Sequence, residues 1–187
     1  MKHILQFGLI LSLTILFGTK ASAQTNWNLA AGYYAESTTS PGIVIELERE
    51  KFHSDLLSIP IQFDVIGFLN PEYSGISLEL KSGYRKYFNN GLFIEQTIGV
   101  GYQFTKYTRD MWYVDKYHAN VPHGNSIVPW FTASTSVGVG YNLTHKKDVS
   151  HLIWFRPKLT WLPGFRGLHL PYHAFQIGYT YNLKSKK

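Results

Sequence analysis

The sequence predicts an all-β chain, an eight-stranded antiparallel up-and-down transmembrane β-barrel that follows a cleaved signal peptide. Three observations lead to this fold class. Apolar and polar residues alternate with a period of two, as they do in strands with two unlike faces. The clearest alternating segments reach the ~9–11 residues that a tilted strand needs to cross a bilayer. Only 16% of the residues are charged and another 16% are aromatic, whereas a soluble protein usually has about 25% charged residues.

The first 23 residues are predicted to be an export signal that takes no part in the fold. Lys2 supplies a positive start, residues 4–17 form a short apolar run, and Ala21-Ser22-Ala23 has the small side chains of a cleavage site. A membrane anchor, the alternative, needs a longer apolar run. Cleavage before Gln24 leaves one domain, residues 24–187, which has no cysteine and therefore no disulfide or thiolate metal site.

The first three strands show the alternation in its simplest form. Strand one alternates large apolar residues with small or polar ones. In strand two Glu46 and Glu48 lie between aliphatic residues, and in strand three Gln62 and Asp64 do the same. Pro60 removes one hydrogen-bond donor from strand three and is a mild objection to that strand. The predicted limits of these strands are 27–34, 43–48 and 57–64.

Strands four and five form the most regular hairpin, over residues 75–104. Aliphatic residues occupy one face of both strands, while Glu79, Arg85 and Glu95 lie on the other face among small residues. The two strands are joined by Asn89-Asn90-Gly91, and an Asn-Gly pair favours a tight turn because both residues tolerate positive φ. This stretch therefore predicts an antiparallel pair with one lipid-facing side.

Strands six to eight complete the barrel over residues 130–142, 153–161 and 174–183. Strand six alternates apolar residues with serine and glycine, and strand seven places Arg156 and Lys158 on its inward face. No segment outside the leader has a helical period.

The connections alternate between long and short. If strand one rises from the periplasm, the outer connections are 35–42, 68–75, 105–126 and 163–171, and the inner ones are 49–56, 89–91 and 143–151. The longest connection is then outside and the tightest inside, as is usual for outer-membrane barrels.

Strand parity separates two sets of residues. The aromatic residues of the outward face lie near strand ends, where interfacial girdles are expected, and they are Trp27, Tyr33, Tyr84, Phe88, Tyr102, Tyr141, Trp161, Tyr179 and Tyr181. The charged residues of the inward face are Glu46, Glu48, Asp64, Glu79, Lys81, Arg85, Glu95, Arg156 and Lys158. An eight-stranded interior is only wide enough for its own side chains, which favours a paired polar core over a transport pathway.

At this point the chain resembles the small outer-membrane barrels of the OmpA/OmpX/OmpW type over residues 26–183. The resemblance rests on the leader, the eight amphipathic strands and a last strand, residues 175–183, that is similar to the terminal signal read by the barrel-assembly machinery. One departure is that such barrels usually end on an aromatic residue, whereas here Leu183 precedes Lys184-Ser185-Lys186-Lys187. The resemblance implies a bacterial outer-membrane location, with outer-membrane lipid, lipopolysaccharide and the barrel-assembly machinery as partners.

The sequence leaves three functions open, because one fold hosts many activities. The first is a non-catalytic interaction or envelope-structural protein with an extracellular or envelope partner that the sequence does not identify. The second is an enzyme that modifies lipid A or phospholipid, and the third is a narrow channel for small apolar solutes. Nothing in the sequence resembles a nucleic-acid-binding motif, and the lysines near strand ends suit lipid phosphates better.

Candidate catalytic and metal-binding residues are few. Ser37 and His173 would be neighbours at the tops of strands one and eight, and a base beside a hydroxyl is the minimum for nucleophilic catalysis. Glu36 has inward parity, however, and the His-x-Ser-Asn pattern of lipid A deacylases is missing. Histidines also occur in the outer connections without metal-ligand spacing, so the sequence predicts neither a metal nor a cofactor, and these histidines are His118, His123, His169 and His173.

Overall fold

A computed structural model describes residues 25–36, 40–71, 73–107, 127–144, 151–162 and 171–183. These residues form eight β-strands: β1 (Thr25–Glu36), β2 (Ser40–Ser54), β3 (Leu57–Leu69), β4 (Tyr73–Tyr87), β5 (Leu92–Tyr107), β6 (Ile127–Asn142), β7 (His151–Trp161) and β8 (Tyr172–Leu183). Each strand pairs with the next and β1 pairs antiparallel with β8, so the sheet closes into a barrel. The predicted fold class is confirmed. The predicted signal peptide lies outside the described residues.

The inward face of the barrel is polar and charged, and the outward face is apolar, which is the reverse of a soluble barrel. Along β2, for example, Glu46 is fully buried while the next residue, Leu47, is 41% exposed. In water this arrangement would be costly, because charges would lose their hydration while apolar side chains kept theirs. It is favourable where the outer surface contacts lipid. The part of the chain that the structure describes contains no helical segment with the length and hydropathy of a membrane span.

Several strands extend further than the sequence predicts. The segment predicted as a turn at 49–56 is mostly strand, because β2 continues to Ser54, with a register shift between Phe52 and Ser54. The connections predicted at 35–42 and 68–75 shrink to 37–39 and 70–72. In these strands the backbone hydrogen bonds between neighbouring strands continue beyond the apolar residues, into polar residues whose sequence is typical of a loop. The backbone groups there still need partners, and the neighbouring strand supplies them.

Two local features explain how irregular residues fit the sheet. At the β4–β5 turn the amide of Gly91 donates to the carbonyl of Phe88 at 3.0 Å, and Gly91 has a φ of 88°, which a residue with a side chain rarely adopts. Pro60 is accommodated in β3 because the ladder to β4 is interrupted there, between the pairs Ser58–Arg85 and Ile61–Ser82, so no donor is required of it on that side. Its carbonyl accepts a hydrogen bond from Ser82 Oγ at 3.0 Å.

The two ends of the barrel differ in their connections. We call the end with the connections 55–56, 88–91 and 143–150 the turn end; Thr25 and Leu183 also lie there. The opposite end, with the connections 37–39, 70–72, 108–126 and 162–171, is the loop end. The longest connection therefore belongs to the loop end.

Candidate functional site in the barrel lumen

The inward faces of the strands bring charged side chains together along the barrel axis. The structure places all nine inward charges named from the sequence inside the barrel, and none has more than 3% of its surface exposed: Glu46, Glu48, Asp64, Glu79, Lys81, Arg85, Glu95, Arg156 and Lys158. They come from β2, β3, β4, β5 and β7. A buried charge is tolerated only when it is paired with an opposite charge or hydrogen-bonded. The partners of these nine side chains therefore show whether the lumen is stabilised by its own charges.

Arg85 is the centre of the network toward the turn end. Its guanidinium lies 2.6 Å from Glu48, 3.1 Å from Glu50 and 2.7 Å from Glu95. Its Nε also donates to Glu95 Oε2 at 2.9 Å. Its Nη1 and Nη2 donate to Glu48 Oε1 and Oε2 at 3.0 and 2.6 Å, so the Glu48 pair is bidentate. One planar cation therefore joins carboxylates from β2 and β5, a role that suits the fixed fork of donors on arginine.

Arg156 crosses the lumen from β7. Its Nη1 lies 2.5 Å from Glu46 on β2, its Nε pairs with Glu95 on β5, and its guanidinium stacks 3.9 Å from the ring centroid of Trp154. Glu95 is thus shared by both arginines. The pairing connects β7 with β2 and β5, which are not its neighbours in the sheet, so these charges cross the lumen as well as line it.

The two lysines pair on the loop-end side of the arginines. Lys81 lies 2.6 Å from Asp64 and 3.5 Å from Glu46. Lys158 reaches from β7 to Glu79 on β4 at 2.6 Å, and Ser134 donates to the same carboxylate at 3.3 Å. All four inward bases are therefore engaged with at least one carboxylate.

Glu50 belongs to this network, although it was not among the residues predicted from the sequence. It is fully buried, and its carboxylate accepts hydrogen bonds from Ser58 at 2.6 Å and Tyr87 at 2.8 Å in addition to the Arg85 pair. The sequence does not single it out because the polar residues 49–56 predict a turn. The signal was present, since Glu46, Glu48 and Glu50 continue one period-2 series.

Aromatic residues pack inside the barrel on both sides of the charges. At the turn end Tyr87 packs between Phe52 and Phe93, with ring centroids 5.9 and 5.6 Å apart. At the loop end Phe68 lies 6.1 Å from Tyr34 and 6.1 Å from Tyr73. These inward aromatics are near strand ends, and the sequence pattern did not single them out as part of the site.

Glycine makes room for the large inward side chains. A Cβ at Gly138 would lie 2.6 Å from Glu95 Cγ and 3.0 Å from Arg156 Cγ, whereas a Cβ at Gly67 would meet no atom within 4 Å. We therefore expect Gly138→Ala to lower the free energy of unfolding by about 1–3 kcal/mol through overpacking. Gly67→Ala, the control, should leave it nearly unchanged. Urea unfolding in lipid vesicles measures both, and equal effects would contradict the packing described here.

The nine residues predicted as girdles lie on the outer side of the barrel, most of them 37–54% exposed. Tyr33, Tyr102 and Trp161 are nearer the loop end, and the remaining six are nearer the turn end. Tyr141 is only half-buried, and Phe88 follows the last residue of β4. Aromatic side chains therefore lie on the outer surface toward both ends of the barrel, where the two membrane–water interfaces are expected.

Of the candidate catalytic residues and loop histidines, only His173 lies in the part of the chain that the structure describes. His173 is exposed on the outer face of β8, with Leu159 as its register partner on β7. Ser37, His118, His123 and His169 lie outside the described residues. Within the residues that the structure describes, no group of three or more His, Asp or Glu side chains is arranged to hold a metal ion.

Comparisons with known proteins give the fold and no closer relationship. No family model and no curated protein matches the sequence. Neisserial surface protein A aligns with a TM-score of 0.50 at 7% identity over 87% of this chain and 98% of that one. Ail, the attachment invasion locus protein of Yersinia pestis, aligns with 0.52 at 10% identity over 86% and 97%. The N-terminal β-barrel domain of Pseudomonas aeruginosa OprF gives 0.52 at 14% identity over 86% and 99%. The resemblance to small outer-membrane barrels is therefore confirmed at the level of fold.

Proposed function

We propose that this chain, which has the fold of the small eight-stranded outer-membrane β-barrels, is an integral protein of the bacterial outer membrane with a closed lumen. The supporting observation is the cross-lumen pairing of Arg85 and Arg156 with carboxylates of β2 and β5, all of them nearly free of solvent. A conducting pore needs a continuous aqueous path, and paired side chains that span an eight-stranded interior leave little room for one.

Because side chains occupy the interior, the surfaces at the two ends of the barrel are left to carry the function. We assign the protein an interaction or envelope-structural role, with an extracellular or envelope partner at the loop end. Outer-membrane lipid and lipopolysaccharide surround the apolar face, and the barrel-assembly machinery recognises the last strand. Aliphatic and aromatic residues on the outward faces of the eight described strands support lipid contact.

The orientation is tested by labelling single cysteines on intact cells. Because long loops face outward and tight turns inward in this class of barrel, Asn120→Cys and Gly167→Cys should react with an impermeant maleimide and Asn90→Cys should not. Asn90→Cys should react once the outer membrane is permeabilised, which controls for its reactivity. Labelling of Asn90→Cys on intact cells would refute the orientation.

An analysis of membrane lipids distinguishes the proposed non-catalytic role from that of a lipid-modifying enzyme. Mass spectrometry of membrane lipids with and without the gene should show no change in acylation. A change that His173→Ala abolishes, while the barrel still assembles, would contradict the non-catalytic role, because a general base is essential to catalysis and a girdle residue is not.

A further inference from the structure

The outer face of β1–β4 at the turn end carries a cluster of cations. Arg49 and Lys51 project outward from β2 and Lys86 projects outward from β4, and all three are exposed. Within the described part of the chain none of the three forms an ion pair. We call Arg49, Lys51 and Lys86 the basic cluster.

Two of these cations are held over girdle aromatics. The Arg49 guanidinium lies 6.0 Å from the ring centroid of Trp27, and Lys86 Nζ lies 5.7 Å from that of Phe88. Trp27 is the register partner of Arg49 on the neighbouring strand. Such cation–aromatic pairs position positive charge at the level where a bilayer changes from acyl chains to headgroups.

The charged residues on the outward faces of the strands are all of one sign. Every Asp and Glu in the eight described strands lies on the inward face and is buried. The outward faces of those strands therefore present lysine and arginine but no carboxylate, and the exposed Asp55 lies beyond them in the connection between β2 and β3. An anionic layer complements that surface, and each lysine or arginine near such a layer strengthens binding.

An apolar strip lies between the two parts of the cluster. The strip consists of Leu57, Ile59, Ile61 and Phe63, the outward residues of β3, which separate β2 from β4 by about 10 Å, two strand spacings. Arg49 pairs with Ile61, Lys51 with Ile59 and Lys86 with Leu57, so Lys86 lies one outward position nearer the turn end than Lys51. Ile61 and Phe63 are each 44% exposed. An acyl chain against this strip would place its headgroup between the cations.

We propose that the basic cluster binds the phosphate of an anionic glycerophospholipid whose acyl chains lie along β3. The inference rests on the proposed membrane location, and the source of the phosphate follows from the orientation, because the turn end faces the periplasmic leaflet. Lipopolysaccharide carries phosphates of the same chemistry but would meet the loop end.

Native mass spectrometry of the folded barrel tests this with phosphatidylglycerol, phosphatidylcholine and lipid A as separate probes. The wild type should retain phosphatidylglycerol in preference to phosphatidylcholine. Each neutralisation among Arg49→Gln, Lys51→Gln and Lys86→Gln should reduce that preference by about fivefold. Lys106→Gln, which neutralises an exposed cation at the loop end of β5, should reduce it much less.

The outcomes separate this inference from the proposed function. Unchanged phosphatidylglycerol preference in the triple variant, an equal loss in Lys106→Gln, or a loss confined to lipid A would overturn the phospholipid site. A wild-type chain that fails to fold into any bilayer, judged by heat-dependent gel mobility, would instead overturn the membrane location.

Discussion

Replacing Arg85 by alanine should lower the free energy of unfolding of the barrel by about 3–5 kcal/mol, because it leaves buried carboxylates without their cation. Glu48, Glu50 and Glu95 all lie within 3.1 Å of the Arg85 guanidinium. The carboxylates that this shared cation draws together and neutralises would then repel one another in a poorly hydrated interior. Urea-dependent unfolding in lipid vesicles, followed by tryptophan fluorescence, measures the change.

The adjacent residue supplies the matched control. Lys86 lies on the same strand but points outward and is exposed, so Lys86→Ala should cost about 0–1 kcal/mol, as exposed charges usually do. Adding Glu48→Gln to Arg85→Ala should recover part of the loss, because it removes one unpaired charge. If Arg85→Ala costs no more than Lys86→Ala, the network does not stabilise the barrel.

A charge placed on the lipid face should have the second largest effect. Val137 lies outward in β6, 57% exposed, and its register partner on β5 is Gln96. Val137→Arg should therefore impair folding into bilayers by about 2–4 kcal/mol if the residue is near the midplane. The folded fraction as a function of urea gives the value.

The same substitution at another depth controls for the identity of the side chain. Ile127 lies on the same face of β6 but at its loop-end terminus, 65% exposed. Near the interface Ile127→Arg should cost only about 0–1 kcal/mol. Equal costs at the two positions would contradict the assignment of the outer face to lipid.

The sequence was sufficient for the number of strands and for which side of each strand faces inward. Parity in a strand is strict, so every predicted inward charge lies in the lumen once β2 to β7 are assigned. The strand limits were less predictable. The polar residues around Glu50 predict a turn, yet its partners Ser58 and Tyr87 come from β3 and β4. The pairing of β2 with β3 and of β3 with β4 brings these three side chains together.

The partners inside the lumen could not be predicted for a different reason. Parity states that Arg156 points inward, but it does not state how far around the barrel its guanidinium reaches. The contact with Glu46 joins residues 110 positions apart, and it depends on the space left by Gly138 and on stacking against Trp154. The packing of the inward aromatic residues, such as Phe52 and Tyr87, could not be predicted either, because these residues lie near strand ends whose sequence is typical of loops.

The closed lumen is tested most directly by the conductance of the purified barrel in planar bilayers. The wild type should show little or no steady conductance, because paired side chains occupy the interior. Arg156→Ala should leak, since it removes the cation that joins β7 to Glu46 and Glu95. A large and stable wild-type conductance that substitutions at Arg156 and Glu79 leave unchanged would show that the interior is an open pore.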